Sequence, residues 1–117
     1  MAAPNVVNVA TITGKTAVQA VGTSATAIVS NSAASGKVFK VNALYVSNVD
    51  GTNNAEITVD IFRSSTAYKL VNTVTVPADA SLDVLSKPIY LEEGDSLRLT
   101  ASASGDLEAV CSYEEIS

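Results

Sequence analysis

The residues with the widest chemical range gather in the closing stretch PIYLEEGDSLRLTASASGDLEAVCSYEEIS, Pro88 to Ser117. Glu92, Glu93 and Asp95 surround Gly94, Glu114 and Glu115 follow, and Cys111 is the sole cysteine. Paired carboxylates act as acid and base in glycoside hydrolysis, and a thiol among carboxylates can be a nucleophile or a metal ligand. Each of these chemistries needs company. The chain has no histidine, which removes the commonest general base and metal ligand at neutral pH and excludes Ser-His-Asp and Cys-His arrangements. With no tryptophan and four tyrosines, there is little to line a sugar cleft. Cys111 shares an alternating face with Leu107, Ala109 and Tyr113, which is the setting of a small packed hydrophobe. The acids read as the solvated turn of a hairpin, and Glu114 and Glu115 as a solvated rim or a subunit contact.

Two other motifs invite chemistry. In NVDGTNN, Asn48 to Asn54, the side chains of Asp50, Asn53 and Asn54 offer oxygen ligands of the kind calcium takes. Their spacing departs from an EF-hand loop and no bidentate glutamate follows, so the stretch reads as a β-turn. TGKT at 13–16 has the tail of a phosphate-binding loop without its first glycine, and it precedes a strand-like run instead of a helix. No catalytic residue, no cofactor and no metal ligand is expected, and the chain is expected not to be an enzyme.

The bulk composition points the same way. Its 117 residues favour a single domain, 1–117. Charged residues make up 16% and apolar ones 47%, chiefly Val and Ala, too apolar for a disordered polyelectrolyte. Net charge is −5, and the seven basic residues stand singly. Nucleic-acid binding needs clustered cations to displace counterions, so none is expected. No apolar run approaches the length of a membrane span, and MAAPNVVNVATITGK lacks the basic and apolar regions of a signal peptide. One cysteine forms no intrachain disulfide, which fits folding in a reducing cytoplasm.

The elements that must position these residues are strands. Ile57, Val59 and Ile61 alternate with Glu56, Thr58 and Asp60, and Leu97, Leu99 and Ala101 with Ser96, Arg98 and Thr100; period two marks half-buried strands. The pattern predicts strands over 6–13, 16–21, 25–30, 37–48, 55–63, 67–76, 80–86, 88–92, 96–103 and 107–116. Turns are expected at TGK (13–15), SGK (35–37), VDGTNNA (49–55), EEGDS (92–96) and SGDL (104–107), with Asp50-Gly51 the strongest hairpin signal. Many short strands with close turns indicate an all-β, antiparallel β-sandwich, jelly-roll-like.

One stretch breaks the alternation. KVFKVNALYVSNV places Val38, Phe39, Val41, Leu44, Tyr45 and Val46 on both faces of a strand, and a strand apolar on both faces is usually covered on both. Val38, Leu44 and Val46 are therefore candidate subunit-interface residues, with a covering loop as the alternative. A homo-oligomer is expected, a trimer before a dimer.

Several stretches resemble a known group. KVFKVNALYVSNVDGTNNAEITVDIFRSS, VPADASLDVL and the ending IYLEEGDSLRLTASASGDLEAVCSYEEIS, with APNVVNVATITGKT at the start, are similar to small virion structural proteins of tailed bacteriophages, particularly marine phages and cyanophages. The resemblance implies a non-enzymatic β-sandwich of the virion, assembled in the bacterial host cytoplasm. Its role would be capsid decoration or cement, with the major capsid protein or tail proteins as partners. A tail, neck or fibre component is the alternative. A carbohydrate-binding module using loops 49–55 and 92–95 is a further one. The resemblance carries over no functional residue.

Overall fold

The computed structural model describes residues 9–117. Nine strands follow one another: β1 (Ile12–Ala20), β2 (Thr26–Ser30), β3 (Val38–Asn48), β4 (Ala55–Arg63), β5 (Thr66–Val76), β6 (Ser81–Asp83), β7 (Ile89–Leu91), β8 (Ser96–Ala101) and β9 (Leu107–Ile116). Six of the expected strands lie where the alternation put them, and 80–86 and 88–92 shrink to β6 and β7. The start of the chain differs. Thr13-Gly14-Lys15 is no turn but the interior of β1, because β9 pairs straight through it, Gly14 opposite Glu114. A single glycine does not turn a chain whose neighbour continues the ladder. The part of the expected strand 6–13 before residue 9 lies outside the described residues.

The strands form two antiparallel sheets. The first has the order β1-β9-β3-β6, with β7 also pairing β3; the second has the order β2-β8-β4-β5. β6 and β7 pair with the two halves of β3, Asp83 opposite Tyr45 and Ile89 opposite Val41, so they are one edge strand interrupted over 84–88. Read along the chain, almost every connection passes from one sheet to the other. This corrects two expected hairpins, at 49–55 and 92–96, which are crossings between sheets, as is the turn at 104–107. Gly94 and Gly105 do take positive φ, +89° and +84°, which suits glycine, but Asp50-Gly51 does not turn on a positive-φ glycine. Among the described residues, the one tight hairpin joins β4 to β5 through Ser64 and Ser65, whose φ values of 52° and 61° are those of a type I′ turn.

The inward faces meet in a dry core. Val41, Leu44, Val46, Ile57, Val59, Leu91, Leu97, Leu99 and Cys111 are fully buried in it. The irregular alternation of β3 has a specific cause. β3 runs in register with β9 from Val38–Ile116 to Val41–Tyr113, then slips by one, so that Ala43 faces Ser112. Asn42 is the extra residue of a β-bulge. Phe39 and Val41 point inward before it, and Leu44 and Val46 point inward after it. An apolar pattern that switches parity looks two-sided in the sequence and is one-sided in space.

Candidate functional site

The acids of the closing stretch are only in part solvated. Glu92 is exposed and Asp95 is almost fully buried. The Arg63 guanidinium at the end of β4 donates to Asp95 Oδ1 through Nε at 2.8 Å and to Asp95 Oδ2 through Nη2, and Nη2 also reaches Glu92 Oε2 at 2.9 Å. The backbone N–H of Glu92 donates to Asp95 Oδ2 at 2.8 Å. Hydrogen bonding from Arg63 holds the Asp95 carboxyl below its usual range, against the opposing effect of burial. Buried Asn31 joins the same end. Its Nδ2 donates to the carbonyls of Lys37 and Leu91 at 2.9 and 3.1 Å, and its Oδ1 accepts from Ser35 Oγ at 2.6 Å. Glu93 Oε2 accepts from Gly36 N–H at 2.9 Å. These side chains tie the loops 31–37 and 92–95 together and leave no carboxylate pair facing a cleft. The expected solvated hairpin is thus a stapled loop cluster built around one buried acid.

The stretch Asn48–Asn54 does the same at the other end of β4. Asp50 Oδ1 accepts from the N–H groups of Thr52 and Asn53 at 2.8 and 3.1 Å, and Oδ2 accepts from Asn53 Nδ2 at 3.1 Å. These donors, Thr52 first, lower the Asp50 pKa. Both oxygens are engaged in shaping the turn, as Asx side chains do. Desolvation and then the Asp50 charge raise the pKa of neighbouring Asp106. Buried Asn48 donates to the carbonyls of Asn53 and Val76, each at 2.9 Å. Among the described residues, no group of three or more His, Cys, Asp or Glu side chains is placed to hold a metal ion. Loops 49–55 and 92–95, grouped above as a glycan site, lie at opposite ends of β4 and form no joint surface.

The remaining charges are spread over the sheets. On β4, Asp60 is buried between its cross-strand neighbours Arg98 and Lys69. Arg98 Nε donates to Asp60 Oδ1 at 2.9 Å, and its guanidinium lies 4.0 Å from the centre of the Phe62 ring. Glu115 bridges Lys15 at 3.0 Å and Lys37 at 3.3 Å, and Lys15 in particular keeps its pKa low. Cys111 is packed between β1 and β3, opposite Ala17 and Leu44, and burial pushes its thiol up to about 11. It is a core residue with little thiolate at neutral pH.

Two of the three candidate interface residues lie elsewhere than expected. Leu44 and Val46 have no exposed surface and belong to the core of the single chain; Val38 lies on the other face of β3, opposite Ile116, and is 7% exposed. The bulge at Asn42 turns Leu44 and Val46 inward, and with it goes the motive for a trimer built on a two-faced strand. The large exposed apolar residue of β3 is Tyr45, at 47%. It stands opposite Val110 on β9, which stands opposite Val18 on β1. Val110 is 41% and Val18 74% exposed, so the three make an aligned apolar row across the outer face of the first sheet. Sequence reading missed this row because its members lie on three separate strands, each beside residues of the core face, and only the register brings them together.

No family model matches the sequence, and no curated protein is significantly similar to it. Among solved structures, one from the Bacillus endospore appendages, described as a novel family of disulfide-linked pili, is similar over 92% of this chain and 88% of that chain, with 16% identity and a TM-score of 0.53. A pentameric capsid protein isolated from metagenomic phage sequences is similar over 86% of this chain and 60% of that chain, with 18% identity and a TM-score of 0.40. The first of these likenesses places this chain's all-β sandwich among known folds.

Proposed function

We propose that the chain is a non-enzymatic structural subunit of a tailed-phage virion, seated on the capsid as a decoration or cement protein. The observation that carries this reading is the Val18–Val110–Tyr45 row, an apolar stripe held outward on a stiff sheet while the buried polar groups at both ends serve to fasten loops. The sequence resemblance to virion proteins supports it. So does the strand order, β1-β9-β3-β6 over β2-β8-β4-β5, whose interleaving fits a jelly-roll reading, an architecture used in viral capsids. A decoration protein works by area, adding contact between shell subunits that resists expansion.

Mass spectrometry of purified particles tests this. The expected result is a high copy number in line with the shell; absence from particles overturns it. The likeness to an appendage subunit favours, as a second reading, a tail, neck or fibre position, and a small copy number in multiples of the tail symmetry would choose it. Val110→Asp, at a half-exposed site, should fold normally yet be lost from particles. Retention at the wild-type level would mean that the row is not the attachment surface.

A further inference from the structure

A sheet edge presents unpaired N–H and C=O groups and is a template for another strand, so folded proteins blunt their edges. This sandwich has four. β2 is five residues long and bulged between Ala27 and Val29. The edge made by β6 and β7 is two three-residue pieces separated by a stretch that contains Pro88. β5 carries two register slips against β4, with Thr73 at a φ of +49°. The fourth edge is β1, and nothing among the described residues blunts it. Its nine residues pair with β9 from Ile12–Ile116 to Ala20–Glu108 without a slip. It holds no proline, and its one charge, Lys15, is turned to Glu115. No strand among the described residues pairs with its other side.

The direction of its free groups follows from the ladder. Thr11 and Ser117 exchange both backbone bonds, and Val21 N–H donates to Leu107 C=O, so odd-numbered residues between them bond to β9. In an antiparallel ladder the alternate residues face away. Ile12, Gly14, Thr16, Val18 and Ala20 therefore turn their N–H and C=O groups to the open edge.

We infer that β1 is a docking edge for a second copy of this chain, pairing antiparallel with the partner's own β1 across a two-fold axis. The partner offers the same four edges, three of them blunted, so β1 meets β1. Full overlap centres the axis on Thr16. Thr16 then faces its own copy, Ile12 faces Ala20, and Gly14 faces Val18, large beside small at each pair. A Cβ at Gly14 would meet nothing within 4 Å, so there is room beside the protruding Val18. Lys15 falls opposite Ala17, so no like charges meet. The contact is isologous, as closed dimers require. It joins the two β1-β9-β3 sheets into one and sets two outward apolar rows on the same face. The inference holds wherever in a particle the protein sits.

Sedimentation velocity of the full chain across the micromolar range is the test. The expected species has twice the chain mass of 12.0 kDa. Thr16→Pro removes a donor aimed only at the open edge, and Thr16→Lys sets two cations against each other across the axis; each should give a monomer with unchanged circular dichroism. Should the proline variant fail to fold, the lysine variant decides. Hydrogen exchange adds a residue-level readout: amides of Gly14, Thr16 and Val18 should be protected in the dimer and exchange rapidly in the lysine variant. A wild-type protein monomeric throughout, or an oligomer that survives Thr16→Lys, overturns the inference.

Discussion

Deleting Asn42 should leave the protein nearly as stable as before, although it removes a residue from the middle of the longest strand of the first sheet. Without it, Phe39, Val41, Leu44 and Val46 fall on every second position, and the β9 partners Tyr113 and Ser112 face consecutive residues. All four apolar side chains keep their inward face. The loss should be about 1 kcal/mol, the size of an ordinary point change. If instead the deletion turned Phe39 and Val41 outward, two buried side chains worth about 1.5–3 kcal/mol each would be lost. That sum, roughly 3–6 kcal/mol, is a large share of the ~5–15 kcal/mol that holds a domain folded. Urea titration followed by circular dichroism separates the cases, since with a slope of ~1–3 kcal/mol per molar the larger loss shifts the midpoint by about 2 M. Deletion of Lys40 is the damaging control, because Phe39 then adjoins Val41 and one of them must leave the core. Equal losses for the two deletions would refute the parity reasoning.

Leu44→Asp should unfold the chain instead of dissociating an assembly, because the new carboxylate would be buried without a partner; a folded variant by circular dichroism would contradict the core placement. Asp95→Asn should cost about 1–2 kcal/mol at neutral pH, a modest figure because half-exposed Arg63 is screened by water. Since the folded Asp95 pKa lies below its ordinary 3.8, the wild-type advantage is complete above that value and fades as pH falls through and below it, which thermal melts from neutral to strongly acid pH would show. Cys111 should react slowly with a thiol reagent until denatured, and Cys111→Ser should lower stability by about 1–3 kcal/mol; rapid native labelling would refute a packed thiol. Ser64→Asn with Ser65→Gly should raise stability by about 1 kcal/mol, since both serines occupy left-handed conformations that Asn-Gly favours, and a fall in melting temperature would count against the turn assignment.

Most strands were legible because period-two alternation is local and strong, as in Ile57-Val59-Ile61. What the alternation conceals is its own interruptions. Val41 to Leu44 is a three-residue step that fits either a bulge or a two-faced strand, and only the β9 register decides. Turn chemistry had a similar limit. Asp50-Gly51 and Gly94-Asp95 say that the chain turns, and which sheet receives it depends on pairings far away in sequence. The tight hairpin that does form, at Ser64-Ser65, carries neither glycine nor asparagine. The polar networks were invisible for the same reason. Asn31 meets the carbonyl of Leu91, and Arg63 meets Asp95, over separations that no local pattern encodes. The exposed row of Val18, Val110 and Tyr45 likewise exists only through register.

β9 lies between β1 and β3 although it is the last of the nine strands. As the polypeptide emerges from the ribosome, β1 and β3 appear early with no strand to join them, and the β4–β5 hairpin is the first pair with both halves at hand. The first sheet acquires its middle when synthesis has passed Ile116. Acquisition of structure is then governed by long-range loop closure, which puts such sandwiches among slow folders, on the order of milliseconds to seconds. A stop codon just before Leu107 would remove the keystone of that sheet and not its margin, leaving β1 unpaired and β3 with only β6 and β7 beside it during the interval when a nascent chain is most prone to aggregate.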